Sequence, residues 1–301
     1  MTAVPGESPA VARRRVRLAL RKARQASALS QSDVARRLGW SMSKMQRIEA
    51  GEVTVSGTDL RALLDLYGGF SDEDIERLTE DTRISRRQRW WTAPEYRDHL
   101  TSGLMQLLQF EAEAIGVRVY QPVLVPGPLQ TRAFAECVVE WWSRNLSEDE
   151  RRVRLEVRRK RREQVIERDD PPTYLLILDQ SALEREIGGP EVMAAQLESL
   201  IADAARPDVH VRIIPYRTGA LLGLLGPFTV LDLSDERDDA VLYRESYLTD
   251  AVIHESKDVR YHREIFETLW RESWNEEVSL RAITAKATDL RFQMSVRDPS
   301  T

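Results

Sequence analysis

Three observations predict an all-α five-helix domain followed by a larger α+β domain with a small mixed sheet. Residues 30–51 hold two short helices joined by a tight turn. Residues 1–70 carry 12 Lys and Arg against 6 Asp and Glu, a net of +6, whereas the remainder carries 32 against 43, a net of −11. From Thr173 onward, short runs of branched apolar residues replace the helical spacing of the first half. With 301 residues, 42% of them hydrophobic, the chain is long enough for two cores.

The first helix is predicted over residues 11–26. The second has strong local support, because Ser30 can cap its free amides, Asp33 stands at capping-box spacing, and Leu29 can staple onto Val34. Val34, Ala35 and Leu38 share one face, and Gly39 supplies the left-handed residue that ends a helix without a Cβ penalty. Ser41 then caps a third helix whose Met45 and Ile48 point inward. A fourth helix starts at Ser56 or Thr58 and buries Leu60, Leu63, Leu64 and Tyr67 before Gly68 and Gly69 stop it, and Ser71 caps a fifth. The domain is expected over 11–82, after a flexible arm at 1–10 with Pro5, Gly6 and Pro9. A basic stretch ahead of Trp90 and Trp91 places the linker at 83–96.

The inward placing of Met45 and Ile48 leaves Met42, Ser43, Gln46 and Arg47 on the outward face of the third helix. That face is short, polar and uncharged apart from Arg47, which suits the major groove of double-stranded DNA. Arg47 leads as base reader, since a guanidinium can donate twice to guanine O6 and N7. Ser43 can bond either base edge, Gln46 can face adenine, and Met42 offers apolar surface to a thymine methyl. Gln31, Ser41 and Lys44 are the expected phosphate contacts, with Gln31 bringing free backbone amides as well as its side chain. Paired amphipathic helices also occur in bundles that bind nothing. A basic head on an acidic body favours phosphate docking at one end of the chain.

The larger domain is expected over 97–290, with a tail at 291–301. It opens on a helix at about 97–119 and breaks at 121–131, where Pro122, Pro126, Gly127 and Pro128 forbid helix. A helix with Phe134, Val138 and Trp142 follows, and then a basic helix at about 151–166. The basic helix reads either as a second nucleic-acid surface or as a solvated face; its sparse stripe of Val153, Val157 and Val165 and the local partners Glu150, Glu156 and Glu163 favour the latter. Residues 174–178 form a strand buried on both faces, followed by two helices divided at 188–190, with Pro190 in a first turn. Strands at 209–215, 228–233 and 241–244 and helices at 258–272 and 276–288 complete an α+β unit. The leucine-rich loop 219–227 is expected to fold over the core or to line an apolar pocket.

Catalysis is not expected, nor a cofactor or a metal. His99, His210, His254 and His262 have no metal-ligand spacing. Gly219, Gly223 and Gly226 lack the fingerprint that cradles phosphate, and no Ser sits in a nucleophile elbow. The single cysteine, Cys137, excludes an internal disulfide framework, and no apolar run approaches the roughly 18 residues that span a bilayer. The first residues lack the apolar core of a secretion signal, so a cytoplasmic protein without a membrane partner is expected.

The order of residues from Arg24 through Gly68 resembles the helix-turn-helix domain of the phage-repressor (Xre) type. The resemblance implies a partly buried ion pair between Arg24 and Glu49, base contacts from Met42, Ser43 and Arg47, and phosphate contacts from Gln31 and Lys44. A second resemblance runs from about Tyr120 to Trp270. It rests on residues 125–131 (Val-Pro-Gly-Pro-Leu-Gln-Thr), on the run 158–164, on Leu178-Asp179 before Ala182-Leu183, and on Ile214-Pro215-Tyr216 before Gly219, Gly226 and Phe228. These segments are similar to the C-terminal domain of unknown function attached to Xre-type regulators of actinobacteria, including the WhiJ-like and antitoxin-like regulators. That resemblance implies a small acidic partner protein encoded nearby.

The readings converge on a sequence-specific regulator of transcription that binds a palindromic operator as a homodimer, while its C-terminal domain senses a partner protein or small ligand. The alternative is an antitoxin-like interaction protein that neutralises a small partner and binds DNA only for autoregulation.

Overall fold

A computed structural model of the protein describes residues 9–86, 89–142, 146–218, 226–236, 239–245 and 250–297. The chain divides into two compact units, Met1–Ala93 and Pro94–Thr301. Most of the leucine-rich loop, at 219–225, and nearly all of the expected N-terminal arm, at 1–8, lie outside the described residues.

The first unit holds five α-helices among its described residues: α1 (Pro9–Ala26), α2 (Gln31–Leu38), α3 (Met42–Glu49), α4 (Gly57–Tyr67) and α5 (Asp72–Ser85). The hydroxyls of Ser30, Ser41, Ser56 and Ser71 each accept from the amide three residues on, and Asp33 and Asp74 return a bond to complete capping boxes. Val16, Leu20, Val34, Met45, Ile48 and Leu63 meet in one core. Gly39 ends α2 at φ 67°, ψ 28°. A Cβ there would touch nothing within 4 Å, so Gly39→Ala is expected to cost only the left-handed backbone penalty, about 1–2 kcal/mol, read as a lower Tm.

Acid should loosen this unit. The carboxyl of Asp33 is held below its usual range, first by the Ser30 hydroxyl and then by the Ser30 amide, and Asp74 is held the same way by Ser71. A pKa lowered in the folded state adds stability above the unfolded value, near about 4, and loses it as pH falls through the folded value. Thermal unfolding followed down an acid titration should therefore show a loss below about pH 4 that is shallower in Ser30→Ala and Ser71→Ala.

The second unit contains α6 (Pro94–Arg97), α7 (Ser102–Glu113), β1 (Gly116–Gln121), α8 (Arg132–Trp142), α9 (Glu148–Val165), β2 (Thr173–Asp179), α10 (Ser181–Glu184), α11 (Gly189–Ala204), β3 (Val209–Ile214), β4 (Phe228–Asp232), β5 (Ala240–Glu245), β6 (Asp250–Ile253), α12 (Ser256–Glu272) and α13 (Glu276–Arg297). The strands form one mixed sheet in the order β3-β2-β1-β4-β5-β6. β1, β2 and β3 run parallel, and β4, β5 and β6 continue from β1 as antiparallel neighbours. Alternation along each strand sorts the side chains. Val117, Val119, Leu176, Val211 and Leu231 lie on the face covered by α7, α8, α9, α11 and α13, while Tyr120, Ile177, Phe228 and Leu242 face α12 through Ile265 and Phe266.

The α+β class is as expected, but the sheet is larger than the small one the sequence suggested. The expected helix at 97–119 stops short, because the backbone turns extended at Ala114 and residues 116–121 enter the sheet as β1. Gly116 allows this: a Cβ there would lie 2.7 Å from the Asp232 carboxylate across the pair with β4. Arg118 and Arg263 both bind that carboxylate. At the other end, α13 continues to Arg297 through part of the expected tail. Leu290 is fully buried, and Arg291 makes two bonds to Glu198 at 2.8 and 2.7 Å.

Candidate nucleic-acid interface

The sequence places α2, a turn and α3 in quick succession, and the structure makes α3 a helix with two distinct sides. Met45 and Ile48 are buried, and Met42, Ser43, Gln46 and Arg47 are exposed. The Arg47 side chain is 55% exposed, with Nε 3.4 Å from a Glu52 carboxylate oxygen. The Ser41 hydroxyl oxygen accepts from the Lys44 amide at 3.2 Å, which leaves its own proton for an outside acceptor. Lys44 is held from two sides: Nζ lies 2.7 Å from Asp59 and 3.8 Å above the centre of the Trp40 ring.

Behind this face, Arg24 of α1 donates to both carboxylate oxygens of Glu49, at 2.5 Å from Nε and 3.1 Å from Nη2. Its remaining Nη1 donates to the Leu29 carbonyl at 2.6 Å, so one guanidinium ties the ends of α1, α2 and α3. The bond to Glu49 raises the Arg24 pKa against the opposing effect of burial. Gln31 donates from Nε2 to the same Glu49 at 2.7 Å. The Gln31 side chain is therefore turned toward the ion pair, and what α2 offers outward at this point is the backbone. Trp40, Glu52 and Asp59 were not among the expected site residues. The spacing of Trp40 and Lys44, four apart across a helix start, was the available clue.

A family described as Helix-turn-helix domain matches residues 16–78, a stretch that contains α2, α3 and α4 whole. The N-terminal unit is a helix-turn-helix domain, a DNA-binding fold. The family described as Domain of unknown function (DUF5753) matches residues 104–285, which is more than half of the chain. The chain belongs to the DUF5753 family. No curated protein and no solved structure matches it. No helix among the described residues is long and apolar enough to cross a membrane.

Within the DUF5753 domain, the basic helix α9 spends much of its charge internally. Arg159 pairs with Glu156 and Glu163 along the helix. Arg161 donates twice to Glu111, at 2.9 and 2.6 Å, and Arg162 twice to Asp203, at 2.9 and 2.6 Å. Both carboxylates are buried. Arg161 and Arg162 staple α9 to α7 and α11, so their charge is spent inside the domain rather than on a second nucleic-acid surface.

Proposed function

We propose that this protein is a sequence-specific regulator of transcription of the Xre type, acting in the cytoplasm as a homodimer on a palindromic operator. The observation that carries the reading is the outward face of α3, where Met42, Ser43, Gln46 and Arg47 stand clear of a helix clamped from behind by Arg24 and Glu49. Arg47 reads guanine; Ser43, Gln46 and Met42 adjust the neighbouring positions. Ser41, Lys44 and the backbone at Gln31 hold phosphates, which sets register without reading sequence. Two such domains side by side read half-sites one helical turn, about 10 base pairs, apart. The DUF5753 domain receives the signal, from a small ligand or from a partner protein such as the small acidic partner that the likeness to WhiJ-like regulators suggests.

The test is retention of sheared DNA from the source genome by the full chain at near-physiological salt. Many retained sites sharing a two-fold motif are the expected result. Retention that falls steeply with salt and shares no motif would overturn the reading, since phosphate contacts alone behave that way. One site, at the protein's own promoter, would point instead to an antitoxin-like role with autoregulation.

A further inference from the structure

Between the arginine row of α9 and the end of the sheet lie two adjoining hollows of about 410 and 340 Å³, the size range that takes a small molecule. The smaller is lined by residues 121–127, just beyond the carboxyl end of β1, and the larger runs back over the sheet along Val119, Tyr174 and Tyr243. Arg154, Arg158, Arg161 and Glu245 line both hollows.

The cationic wall is built rather than incidental. Residues 154, 158 and 161 fall on one side of α9 by their spacing. Arg158 is fixed by donating from Nε to Gln130 at 2.9 Å and from Nη1 to the Arg154 carbonyl at 3.0 Å. Gln130 in turn donates to the Val125 carbonyl at 2.8 Å, and the fully buried Gln196 pins the same loop at Leu129 and Thr131. Arg161 is neutralised by Glu111. Among the described residues, no carboxylate lies within ion-pair distance of Arg154 or Arg158. Burial, and then the charge of Arg161, push the Arg158 pKa down to about 10.

Opposite stand Glu245, at the end of β5, and Asp250, at the start of β6. Gly103 brings α7 directly onto β6, since a Cβ there would lie 2.6 Å from that of Asp250, and Thr101 donates to the Asp250 carboxylate at 3.0 Å. Burial raises the Glu245 pKa while Arg161 and Arg158 oppose it. The two walls thus feel each other's charge without closing into an ion pair. Alongside, the second hollow sets Val123, Leu124, Val125, Val138 and Val139 beside the shared charged residues, which gives it one apolar side.

We propose that this cavity binds a small zwitterion with an apolar side group, an amino acid or short peptide. Its carboxylate sits on Arg154 and Arg158, its ammonium group faces Glu245 and Asp250, and its side group lies on the apolar side of the second hollow. The inference rests on the reading of the DUF5753 domain as a sensor.

Titration calorimetry of the full chain with leucine, leucyl-leucine, N-acetyl-leucine and leucinamide tests it. Leucine or leucyl-leucine should bind saturably, and which of them binds more tightly tells amino acid from peptide. The two singly charged analogues should bind at least tenfold more weakly, and Arg158→Gln should lose at least tenfold. Arg158→Gln removes a desolvated charge that has no carboxylate partner, so its Tm without ligand should hold or rise, and Glu245→Gln supplies a second variant with the same expected loss. Absence of saturable binding by both zwitterions, equal binding of N-acetyl-leucine, or binding indifferent to Arg158→Gln would overturn the proposal. Motif-specific DNA binding is measured on the same samples. If it persists while no zwitterion binds, the cavity inference fails alone; if a zwitterion binds and no DNA motif emerges, the regulator reading fails alone.

Discussion

Glu49→Ala is expected to destabilise the helix-turn-helix domain by about 3–5 kcal/mol, the range for stranding one member of a buried ion pair. The Arg24 side chain is 14% exposed and that of Glu49 6%, so water can do little to replace the lost partner. Arg24 would keep only its bond to the Leu29 carbonyl, and Gln31 would lose its acceptor as well. A loss of that size takes much of the 5–15 kcal/mol that holds a domain folded. Denaturant unfolding of the full chain should show the N-terminal transition moving sharply while that of the DUF5753 domain stays in place. Replacing both partners together, Arg24→Met with Glu49→Leu, should recover most of the loss, because the charges cost desolvation that an apolar pair avoids. An unmoved N-terminal transition in Glu49→Ala would show that the pair does not hold α1 to α3.

Arg47→Ala is expected to weaken binding to the preferred operator by about 1–3 kcal/mol, roughly five- to 150-fold, with stability changed by no more than about 0.5 kcal/mol. The side chain is exposed, and its neighbour Glu52 lies at 3.4 Å, so little in the fold depends on it. Affinity for unrelated duplexes should fall far less, which makes the ratio of specific to non-specific binding the decisive readout. Lys44→Ala should behave in the opposite way, weakening all sequences alike and lowering the salt slope by about one. Fluorescence anisotropy across a salt series separates the two. Equal losses on all sequences for both variants would mean that Arg47 also touches only phosphate.

Local chemistry was readable from sequence because it depends on neighbours a few residues away. Ser30 with Asp33, Gly39 after Leu38, and Ser41 before α3 all act within one turn, and each takes the role its residue type dictates. β1 was not readable. Val117 and Val119 continue the apolar spacing of α7, and it is pairing with β2 and β4, more than 50 residues away, that makes the segment extended. β6 escaped for another reason, being four residues of half-buried edge without a clear alternation. On α3 the outward residues were legible from periodicity, whereas the inward turn of Gln31 was not, since it depends on where Glu49 lands after the turn. In α9 the local pairs of Arg159 were visible at three- and four-residue spacing. The arginines at 154, 158 and 161 share a side by the same rule, but the carboxylates opposite them, Glu245 and Asp250, come from strands far along the chain, so the cavity they frame has no local signature.

The most direct test of base reading by α3 is selection from random duplexes at near-physiological salt, run in parallel with the wild-type chain and Arg47→Ala. The expected result is a two-fold motif for the wild type, from which Arg47→Ala loses the preference for guanine at one position in each half-site while the other positions persist. The same motif from both proteins, guanine included, would contradict the account.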